Sequence, residues 1–404
     1  MDSKQLVKLT AIFGDAFYML NSDKFKQNYL ELKQAFIKIY PNFNIAYSYK
    51  TNYTPKLCKI VDDLGGYAEV VSDMEMELAL NIGCSPEKII WNGPYKNYKK
   101  VQELLLNGGT VNIDSVYEIE LIRTIAKKYA SHTLNIGIRV NFDVNDGVIS
   151  RFGFDVQSTE FQAALNLLKE PNLNFKNLQC HFATRSLETW RARAEGMLNL
   201  LDSLDILPDI IDLGGGLFGK MPKSLRMQFD VDIPSYDDYA ELVATLFKEY
   251  FQNSDIKPML LIEPGSALVG DCMDFVSKVI NIKKVRDKYI ATLLGSIYNI
   301  NPTLNKKNPP IFVYSCGGEQ REYTDLDFGG FTCIETDYLY RHFKGKLAVG
   351  DFVSFGNVGS YSIVLKPPFI LPNFPIIEIS GDQIDIIKHG ESFDDIFHTY
   401  KFNK

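Results

Sequence analysis

Short runs of β-forming residues recur along the first two thirds of this chain at nearly regular intervals. Eight such runs lie between residues 40 and 265, and each ends in polar or glycine-rich residues. They follow one another every ~31 residues, the length of a β-α-β unit. Stretches with helical spacing of apolar residues, such as 101–105 and 119–125, separate most of them. The eight runs are Ile45–Tyr49, Tyr67–Val71, Ile89–Trp91, Thr110–Ile113, Leu134–Val140, Leu178–Phe182, Ile210–Leu213 and Met259–Ile262.

Eight β-α units in roughly 250 residues predict a (β/α)8 barrel, which we place at residues 21–265. An open, doubly wound sheet is the alternative. Such a sheet usually has fewer strands and one dominant phosphate-binding loop, so the barrel is favoured.

From residue 266 onwards the pattern changes to short β-like runs separated by turn residues, with little helical periodicity. This pattern predicts a second, mostly antiparallel β-barrel or sandwich domain formed by residues 266–404. Residues 1–20 are assigned to the same domain because Ala16–Leu20 is also strand-like. The predicted runs are Phe275–Val285, Tyr289–Leu294, Pro310–Tyr314, Asp351–Phe355, Ser360–Leu365, Ile376–Ile379 and Gln383–Ile387.

Charge and composition exclude several classes of partner. The chain has 43 basic and 50 acidic residues, so its net charge of −7 argues against binding to nucleic acid. No apolar run approaches the ~20 residues of a membrane span, and the first residues lack an apolar signal core, so a cytoplasmic location is expected. The six cysteines are scattered, which predicts neither a disulfide framework nor a metal site.

Chemically useful side chains stand where the predicted barrel strands end, the position of catalytic groups in such barrels. A lysine at the end of the first run is notable, because a partly desolvated lysine is suited to Schiff-base formation. A lysine exposed to solvent is the alternative. The residues at the strand ends are Lys50, Glu69, Ser72, Asn92, Asp114, Asn141, His181, Gly214–Gly216 and Glu263.

Three of these strand-end features, taken together, suggest one cofactor. The glycines of Gly214–Gly216 would let backbone N–H groups approach a phosphate, although a flexible turn is the alternative. Glu263 would keep a pyridine nitrogen protonated, unless it pairs with an arginine or caps a turn. His181 would lie flat on an aromatic ring, unless it is an ordinary core histidine. With Lys50 they predict a site for pyridoxal 5′-phosphate.

The motif Tyr47-Ser-Tyr-Lys-Thr-Asn52 resembles the Tyr-Ala-x-Lys-Ala-Asn motif of the fold-type III pyridoxal-phosphate decarboxylases, the diaminopimelate and ornithine decarboxylase group. The resemblance implies an alanine-racemase-like barrel and spans nearly the whole chain in the family's order. Its further blocks are Glu69–Ser72, Ser150–Gly153, His181–Thr184, Asp212–Gly216, Glu263–Gly265, Cys333 with Asp337, and Gly359–Tyr361.

The resemblance implies a decarboxylase of an α-amino acid and assigns residue roles. Lys50 would carry the cofactor as a Schiff base, with His181 on the ring and Glu263 at the pyridine nitrogen. It further implies a homodimer, in which Cys333 and Asp337 of one subunit enter the other's site and Cys333 returns a proton to the α-carbon. The remaining cofactor-binding residues would be Thr184, Gly214, Gly215, Gly216, Gly265 and Tyr361.

Four departures from the family pattern affect the predicted substrate. Ser266 replaces the arginine of Glu-Pro-Gly-Arg. Arg185 stands where the family often has a small or amide residue, and we expect it to supply the missing charge and contact substrate. Ile334 replaces an acidic residue that would bind a distal ammonium, a role then left to Glu335. Met74 replaces a glycine, and this change has no interpretation. The departures favour an amino acid whose far end is acylated, conjugated or attached to a carrier protein.

A racemase and a non-catalytic homologue are the two alternatives to a decarboxylase. An amino-acid racemase or epimerase on the same barrel would keep the carboxylate, but the Cys333 and Asp337 pair and the Asp212–Gly216 block favour decarboxylation. A non-catalytic homologue would have no need of Lys50, Glu263 and Cys333 together.

Overall fold

The computed structural model describes residues 2–381 and 383–402, which divide into two compact units. The barrel unit comprises residues 26–219 and 233–268, and the β unit comprises the described parts of 1–25, 220–232 and 269–404. The predicted boundaries lie at 20/21 and 265/266, with residues 220–232 in the barrel. This short segment contributes no strand, and Gln228 exchanges hydrogen bonds of 2.8 and 2.9 Å with Asn308 of the β unit.

Eight parallel strands form the barrel unit, and each of the eight predicted runs overlaps one of them. Every strand pairs with the next, and the last pairs back with the first, with Leu260 opposite Phe43. The predicted closed barrel is therefore confirmed, and the open sheet is excluded. The strands are Phe43–Ser48, Tyr67–Val70, Ile89–Trp91, Thr110–Ile113, Leu134–Asn141, Leu173–Cys180, Ile210–Asp212 and Met259–Ile262, with a two-residue strand Phe154–Asp155 beside the fifth.

Helices of 4 to 16 residues lie before, between and after the barrel strands, and several N-termini carry the expected capping residues. The Ser72 and Ser186 hydroxyls accept hydrogen bonds from Glu75 N–H and Thr189 N–H, respectively, and Ser115 forms a capping box with Glu118. In the described part of the chain no helix is both long and apolar enough to span a membrane. The helices are Ser22–Ile37, Pro55–Asp63, Asp73–Asn81, Tyr98–Leu106, Val116–Lys128, Thr159–Leu167, Leu187–Leu201, Tyr236–Tyr250 and Ser266–Val269, with 3-10 turns at Tyr49–Thr51 and Pro86–Lys88.

Apolar and polar layers share the barrel interior. Ala46, Ile90, Ile210 and Leu261 form a fully buried apolar cluster. Other inward-facing positions carry amides. Fully buried Asn177, for example, donates a hydrogen bond to Asn112 Oδ1 at 3.2 Å. Buried amides need partners, so such a network fixes the side chains that it contains.

The β unit is a mostly antiparallel sheet of nine strands, as predicted. Ala16–Leu20 lies inside it, antiparallel to Met273–Val285 and parallel to Ile376–Ser380. This placement confirms that the early strand pairs with the C-terminal part of the chain. The other strands are Lys288–Leu293, Ile311–Tyr314, Arg321–Gly329, Tyr338–Leu347, Phe352–Phe355 and Gln383–Lys388, and the helices are Ser3–Phe13, Lys223–Arg226, Ile297–Ile300 and Phe393–Phe397, with a 3-10 turn at Gly270–Cys272.

Several elements of the β unit differ from the sequence-based prediction. Arg321–Gly329 and Tyr338–Leu347 are strands that pair with each other, and their frequent charged residues obscure the alternation of apolar positions. The helix Ser3–Phe13 was also missed, although its Leu6 and Leu9 are buried in the sheet's core. The predicted strand Ser360–Leu365 is wrong: Tyr361 has φ of 65°, and its carbonyl accepts from Leu365 N–H in a tight turn.

Candidate active site

Lys50 lies at the carboxyl end of the first barrel strand, in the 3-10 turn Tyr49–Thr51. Its Nζ donates to Ser48 Oγ at 2.9 Å and forms an ion pair with the carboxylate of Glu69, whose side chain is fully buried. Burial opposes ionisation of Glu69, but the charge of Lys50 and hydrogen bonds from Lys50, Ser48 and Asn92 outweigh it and lower the pKa of this carboxyl. The Lys50 side chain stays 35% exposed, so its amine is anchored and still accessible.

A chain of amides connects Glu69 with the carboxylate at the end of the eighth strand. Asn92 Nδ2 donates to Glu69 Oε1 at 3.1 Å and to Glu263 Oε1 at 2.5 Å. Asn112 Nδ2 orients Asn92 through a 2.7 Å bond to its Oδ1, and Gln179 Nε2 donates to Glu263 Oε2 at 3.2 Å. Both oxygens of Glu263 are thus held in place.

Two buried carboxyl groups, Glu263 and Asp212, interact at this end of the barrel. Burial, followed by repulsion from Glu263, raises the pKa of Asp212 well above its usual range. Burial and the nearby Glu69 also raise the pKa of Glu263. A hydrogen bond between the two carboxyl groups raises the pKa of Asp212 further and opposes the rise in the pKa of Glu263, so we conclude that Asp212 holds the proton of this pair and that Glu263 is the carboxylate suited to face a cationic group.

His181 follows the sixth strand and contacts the glycine loop. Its Nδ1 accepts a 2.9 Å hydrogen bond from Gly215 N–H, so a neutral ring carries its proton on Nε2. Burial, with smaller contributions from Lys50, Arg139 and Arg193, holds the pKa of His181 well below its usual range. The ring is therefore neutral at physiological pH.

This half-buried, neutral histidine predicts a pH-dependent loss of stability. An unfolded chain takes up a proton at the ordinary pKa of 6.5, whereas the folded protein does not, so acidification below pH ~6.5 favours unfolding. From pH 7 to pH 5 the unfolding free energy of the wild type should fall by up to ~2 kcal/mol more than that of a His181→Phe variant. Denaturant titrations at several pH values measure this difference. The same substitution at exposed His389 should leave the pH dependence unchanged, and parallel curves for wild type and His181→Phe would contradict the assignment.

The loop Gly214–Gly216 approaches its neighbours so closely that side chains are excluded. Gly214 and Gly216 have φ of 69° and 88°, a region that favours glycine. A Cβ on Gly215 would collide with the backbone oxygen of Glu263, and one on Gly214 with that of Cys180. Gly214–Gly216 is therefore a loop of fixed conformation, called the glycine cradle below, and not a flexible turn.

Three other predicted residues of the barrel unit lie on the loops beside this cradle. Thr184 and Arg185 are half-buried, and the Arg185 guanidinium lies 5.4 Å from the Phe218 ring centroid. A Cβ on Gly265 would collide with the Thr51 side chain, so this glycine lets the turn that carries Lys50 pack against the end of the eighth strand.

Two of the predicted strand-end residues hold a neighbouring loop and do not belong to the hydrogen-bond network around Lys50. Asp114 Oδ1 accepts from Gly153 N–H at 3.0 Å, and Asn141 Nδ2 donates to the carbonyls of Ser150 and Phe152 at 2.8 and 2.9 Å. They order the loop Ser150–Gly153 and contribute no group to the Lys50 network.

The predicted site residues of the β unit lie on two of its loops. Cys333 and Glu335 are exposed and Ile334 is half-buried. Asp337 is only 4% exposed, and its carboxylate accepts from Ile297 N–H at 2.7 Å, Thr332 Oγ1 at 2.6 Å and Thr332 N–H at 3.2 Å. Asp337 therefore shapes the loop that presents Cys333.

Tyr361 belongs to the second loop of the β unit. Tyr361 has φ of 65°, a left-handed backbone conformation that residues with a side chain rarely adopt. Such conformations cluster at ligand-binding positions, where the surrounding structure maintains them.

Sequence reasoning missed most contacts, and some of the residues, that hold the site together. Glu69 and Asn92 were predicted from their strand-end position and Ser48 lies in the Tyr47–Asn52 motif, but nothing indicated that they bond to Lys50 and Glu263. Arg193 and Trp190 lie within a helix, and no local pattern distinguishes them from helix surface residues.

Comparison with known proteins identifies the family. The family described as "Pyridoxal-dependent decarboxylase, pyridoxal binding domain" matches residues 23–270, more than half of the chain. A diaminopimelate decarboxylase of Aquifex aeolicus is 24% identical, over 98% of this chain and 93% of that protein. The crystal structure of the M. jannaschii diaminopimelate decarboxylase with L-lysine has a TM-score of 0.86 at 22% identity and covers 98% of this chain and 94% of its own. A lysine decarboxylase of Selenomonas ruminantium has a TM-score of 0.76 at 22% identity, covering 95% and 97%.

The geometry of the barrel unit fits pyridoxal 5′-phosphate. An accessible amine on Lys50, a buried carboxylate on Glu263, a neutral His181 ring and a glycine cradle lie on connected strand ends. These groups match an aldehyde, a pyridine nitrogen, an aromatic face and a phosphate, respectively. The chain thus belongs to the pyridoxal-dependent decarboxylases, and it is an amino-acid carboxy-lyase that uses pyridoxal 5′-phosphate.

Proposed function

We propose that this decarboxylase removes the α-carboxylate of an amino acid through Lys50 and Cys333. The observation that carries the proposal is the pairing of an accessible Lys50 amine with fully buried Glu69, in a network that also holds Glu263. Pyridoxal 5′-phosphate, when bound, delocalises the electron pair that the departing carbon dioxide leaves behind. The chain supplies the attachment point, the orientation and the protons.

Each group of the barrel unit has one task in this proposal. Lys50 binds the aldehyde carbon, and Glu69 orients its Nζ. Glu263 accepts a hydrogen bond from the protonated ring nitrogen, and the neutral ring of His181 covers one face of the cofactor without adding charge. Gly214–Gly216 and Thr184 bind the phosphate, with Gly265 close by, and a contact of Tyr361 with the phosphate stays a prediction from the resemblance.

Cys333 is the proposed proton donor. The bond between the α-carbon and the carboxylate breaks, carbon dioxide leaves, and the Cys333 thiol gives its proton to the α-carbon before recovering one from solvent. Exposure of Cys333 on its loop supports this exchange.

The proposed substrate is an α-amino acid that lacks a free ammonium group at its far end. On the Cys333 loop, Ile334 offers no charge, and Asp337 already accepts three hydrogen bonds within its own unit. Glu335 alone is left exposed there to pair with a distal ammonium, and Arg185 adds a positive charge beside Thr184. An acylated, conjugated or carrier-linked side chain suits such a site better than lysine or diaminopimelate does.

A panel experiment in heavy water tests this function. The cofactor-loaded enzyme is incubated with lysine, ornithine, diaminopimelate, and acylated and carrier-linked amino acids, and mass spectrometry follows the products. Loss of carbon dioxide with uptake of one deuterium is expected, and fastest for a substrate without a distal ammonium. Deuterium uptake with the carboxylate retained would mean racemisation. Preference for a diamino acid would overturn the substrate proposal alone.

Replacing Cys333 with alanine should separate binding from chemistry. We expect kcat to fall ~100-fold, because the proton must then come from water, while attachment of the cofactor to Lys50 is unchanged. Stopped-assay kinetics and the visible absorbance of the bound cofactor measure the two effects. The buried Cys272 provides a matched Cys→Ala control. Normal turnover to the same labelled product in Cys333→Ala would refute its role.

Replacing Gly215 with alanine should weaken cofactor binding. The new Cβ would displace the loop from Glu263, so affinity for pyridoxal 5′-phosphate should fall at least ~10-fold. Titration of the apoenzyme with the cofactor measures the change. Gly318→Ala is the control, since no atom lies within 4 Å of its Cβ position. An unchanged affinity in Gly215→Ala would contradict the cradle.

We further propose that the enzyme works as a homodimer with shared sites, which the exposed position of Cys333 and its predicted role support. Mixing Lys50→Ala and Cys333→Ala proteins should then restore activity to about a quarter of wild type, because half of the randomly paired dimers are mixed and each contains one intact site. No recovery would argue that each chain completes its own site. The cytoplasmic location stays a prediction.

A further inference from the structure

A buried arginine ties together the two loops to which the proposed function assigns the cofactor's phosphate. Arg193 is 0% exposed. Its Nη1 donates to the carbonyls of Leu213 and Gly215 at 2.9 and 2.6 Å, and its Nη2 donates to those of Phe182 and Thr184 at 2.8 and 3.4 Å. A single side chain thereby links the loop after the sixth strand with the loop after the seventh.

These contacts determine where the backbone donors of the glycine loop point. In a planar trans peptide the C=O and the following N–H face opposite ways. Because the Gly215 carbonyl faces Arg193, the N–H of Gly216 faces away from it. Trp190 Nε1 donates to the Gly216 carbonyl at 2.9 Å, so the N–H of Leu217 likewise faces away from Trp190. Neither N–H has a hydrogen-bond partner within residues 2–381 and 383–402, which leaves two adjacent donors for an anion.

Arg193 also forms no ion pair in the described part of the chain. All four of its hydrogen bonds go to carbonyl oxygens, its Nε has no partner in the described part of the chain, and its guanidinium stacks 4.2 Å from the Trp190 ring centroid. Burial lowers the pKa of Arg193 to about 10, so the group stays protonated at neutral pH. A buried cation is costly without an anion nearby, and a phosphate on the far side of the loop would supply one.

We propose that Arg193 is a positioning residue for the cofactor's phosphate, which it serves by holding both loops through their carbonyls and by placing a positive charge behind the Gly216 and Leu217 N–H groups. This inference rests on the proposed assignment of Gly214–Gly216 to the phosphate. In this proposal Arg193, and not Arg185, supplies the positive charge that is missing where Ser266 replaces the family's arginine.

The test compares two ligands that differ only in the phosphate. Apoenzyme is titrated with pyridoxal 5′-phosphate and with pyridoxal, and attachment to Lys50 is followed by absorbance and by borohydride reduction with peptide mass spectrometry. In Arg193→Gln the preference for the phosphorylated ligand should fall ~10- to 100-fold, the effect of removing hydrogen bonds from one charged group, while the pyridoxal affinity stays nearly constant. Arg191→Gln, on the exposed face of the same helix, should retain the wild-type preference.

A second variant keeps the inference testable where Arg193→Gln does not fold. Arg193→Lys retains the charge but cannot bond to four carbonyls, so it should lose part of the preference. A purely structural role would lower the melting temperature of the apoenzyme and weaken both ligands equally, and that result would overturn the inference. A wild type that attaches both ligands equally well would instead refute the phosphate assignment, and one that attaches neither at Lys50 would refute the proposed function itself.

Discussion

Turnover is expected to fall by more than ~1000-fold when Lys50 is replaced with alanine, because no other group in the proposed site can attach the cofactor. The visible absorbance band of the attached cofactor and the borohydride-stable adduct should both disappear. Steady-state kinetics and peptide mass spectrometry on the reconstituted protein measure these effects.

A Lys50→Arg variant separates chemistry from stability. Arginine keeps a positive charge beside Glu69 but does not attach the aldehyde, so its activity should be as low as that of Lys50→Ala. Only Lys50→Ala leaves Glu69 buried without its cation, and only that variant should show a clearly lower melting temperature. Activity retained in either variant would show that Lys50 is not the attachment point.

Replacing Glu263 with glutamine should lower kcat ~100- to 1000-fold, the usual effect of removing an electrostatic partner from a closed site. The amide preserves the size of the side chain. Its oxygen can still accept from Asn92, and its NH2 group can donate to Gln179 once that amide turns its Oε1 towards it, but it does not stabilise a positive charge on the ring nitrogen. Single-turnover kinetics and the absorbance of the bound cofactor are the measurements.

Asp212→Asn is the matched control for this prediction. Because burial and Glu263 keep Asp212 protonated, the neutral amide should reproduce it, and kcat should change less than ~10-fold. Full activity in Glu263→Gln together with a large loss in Asp212→Asn would identify Asp212 as the charged partner instead.

Most of the barrel was predictable because its strands are short, apolar and separated by amphipathic helices. Each of the eight predicted runs overlaps a strand, since strands with helices on one face and the barrel interior on the other are largely apolar. The β unit was less predictable. The charged strands Arg321–Gly329 and Tyr338–Leu347 show weak alternation, and the turn at Tyr361 has the composition of a strand.

Within the candidate site, position in the fold was the useful signal. Lys50, His181, Gly214–Gly216 and Glu263 were found because catalytic groups in a parallel barrel lie at the strand ends. Hydrogen-bond partners were not predictable in this way. Asp337, which the resemblance places in the other subunit's site, accepts hydrogen bonds from Thr332 and from Ile297 N–H, and Arg193 lies in the middle of a helix.

The sequence by itself determined the barrel, the second β domain and the kind of chemistry, since hydrophobic periodicity and strand-end residues are local properties of the chain. Only the tertiary structure decided how those residues work together. Glu69 lies beside Lys50, Asp212 holds a proton next to Glu263, and Arg193 fixes two loops because closure of the barrel brings together segments that are distant in sequence. The physical reason is that pKa values, ion pairs and the direction of backbone donors depend on distance and burial, which no local pattern encodes.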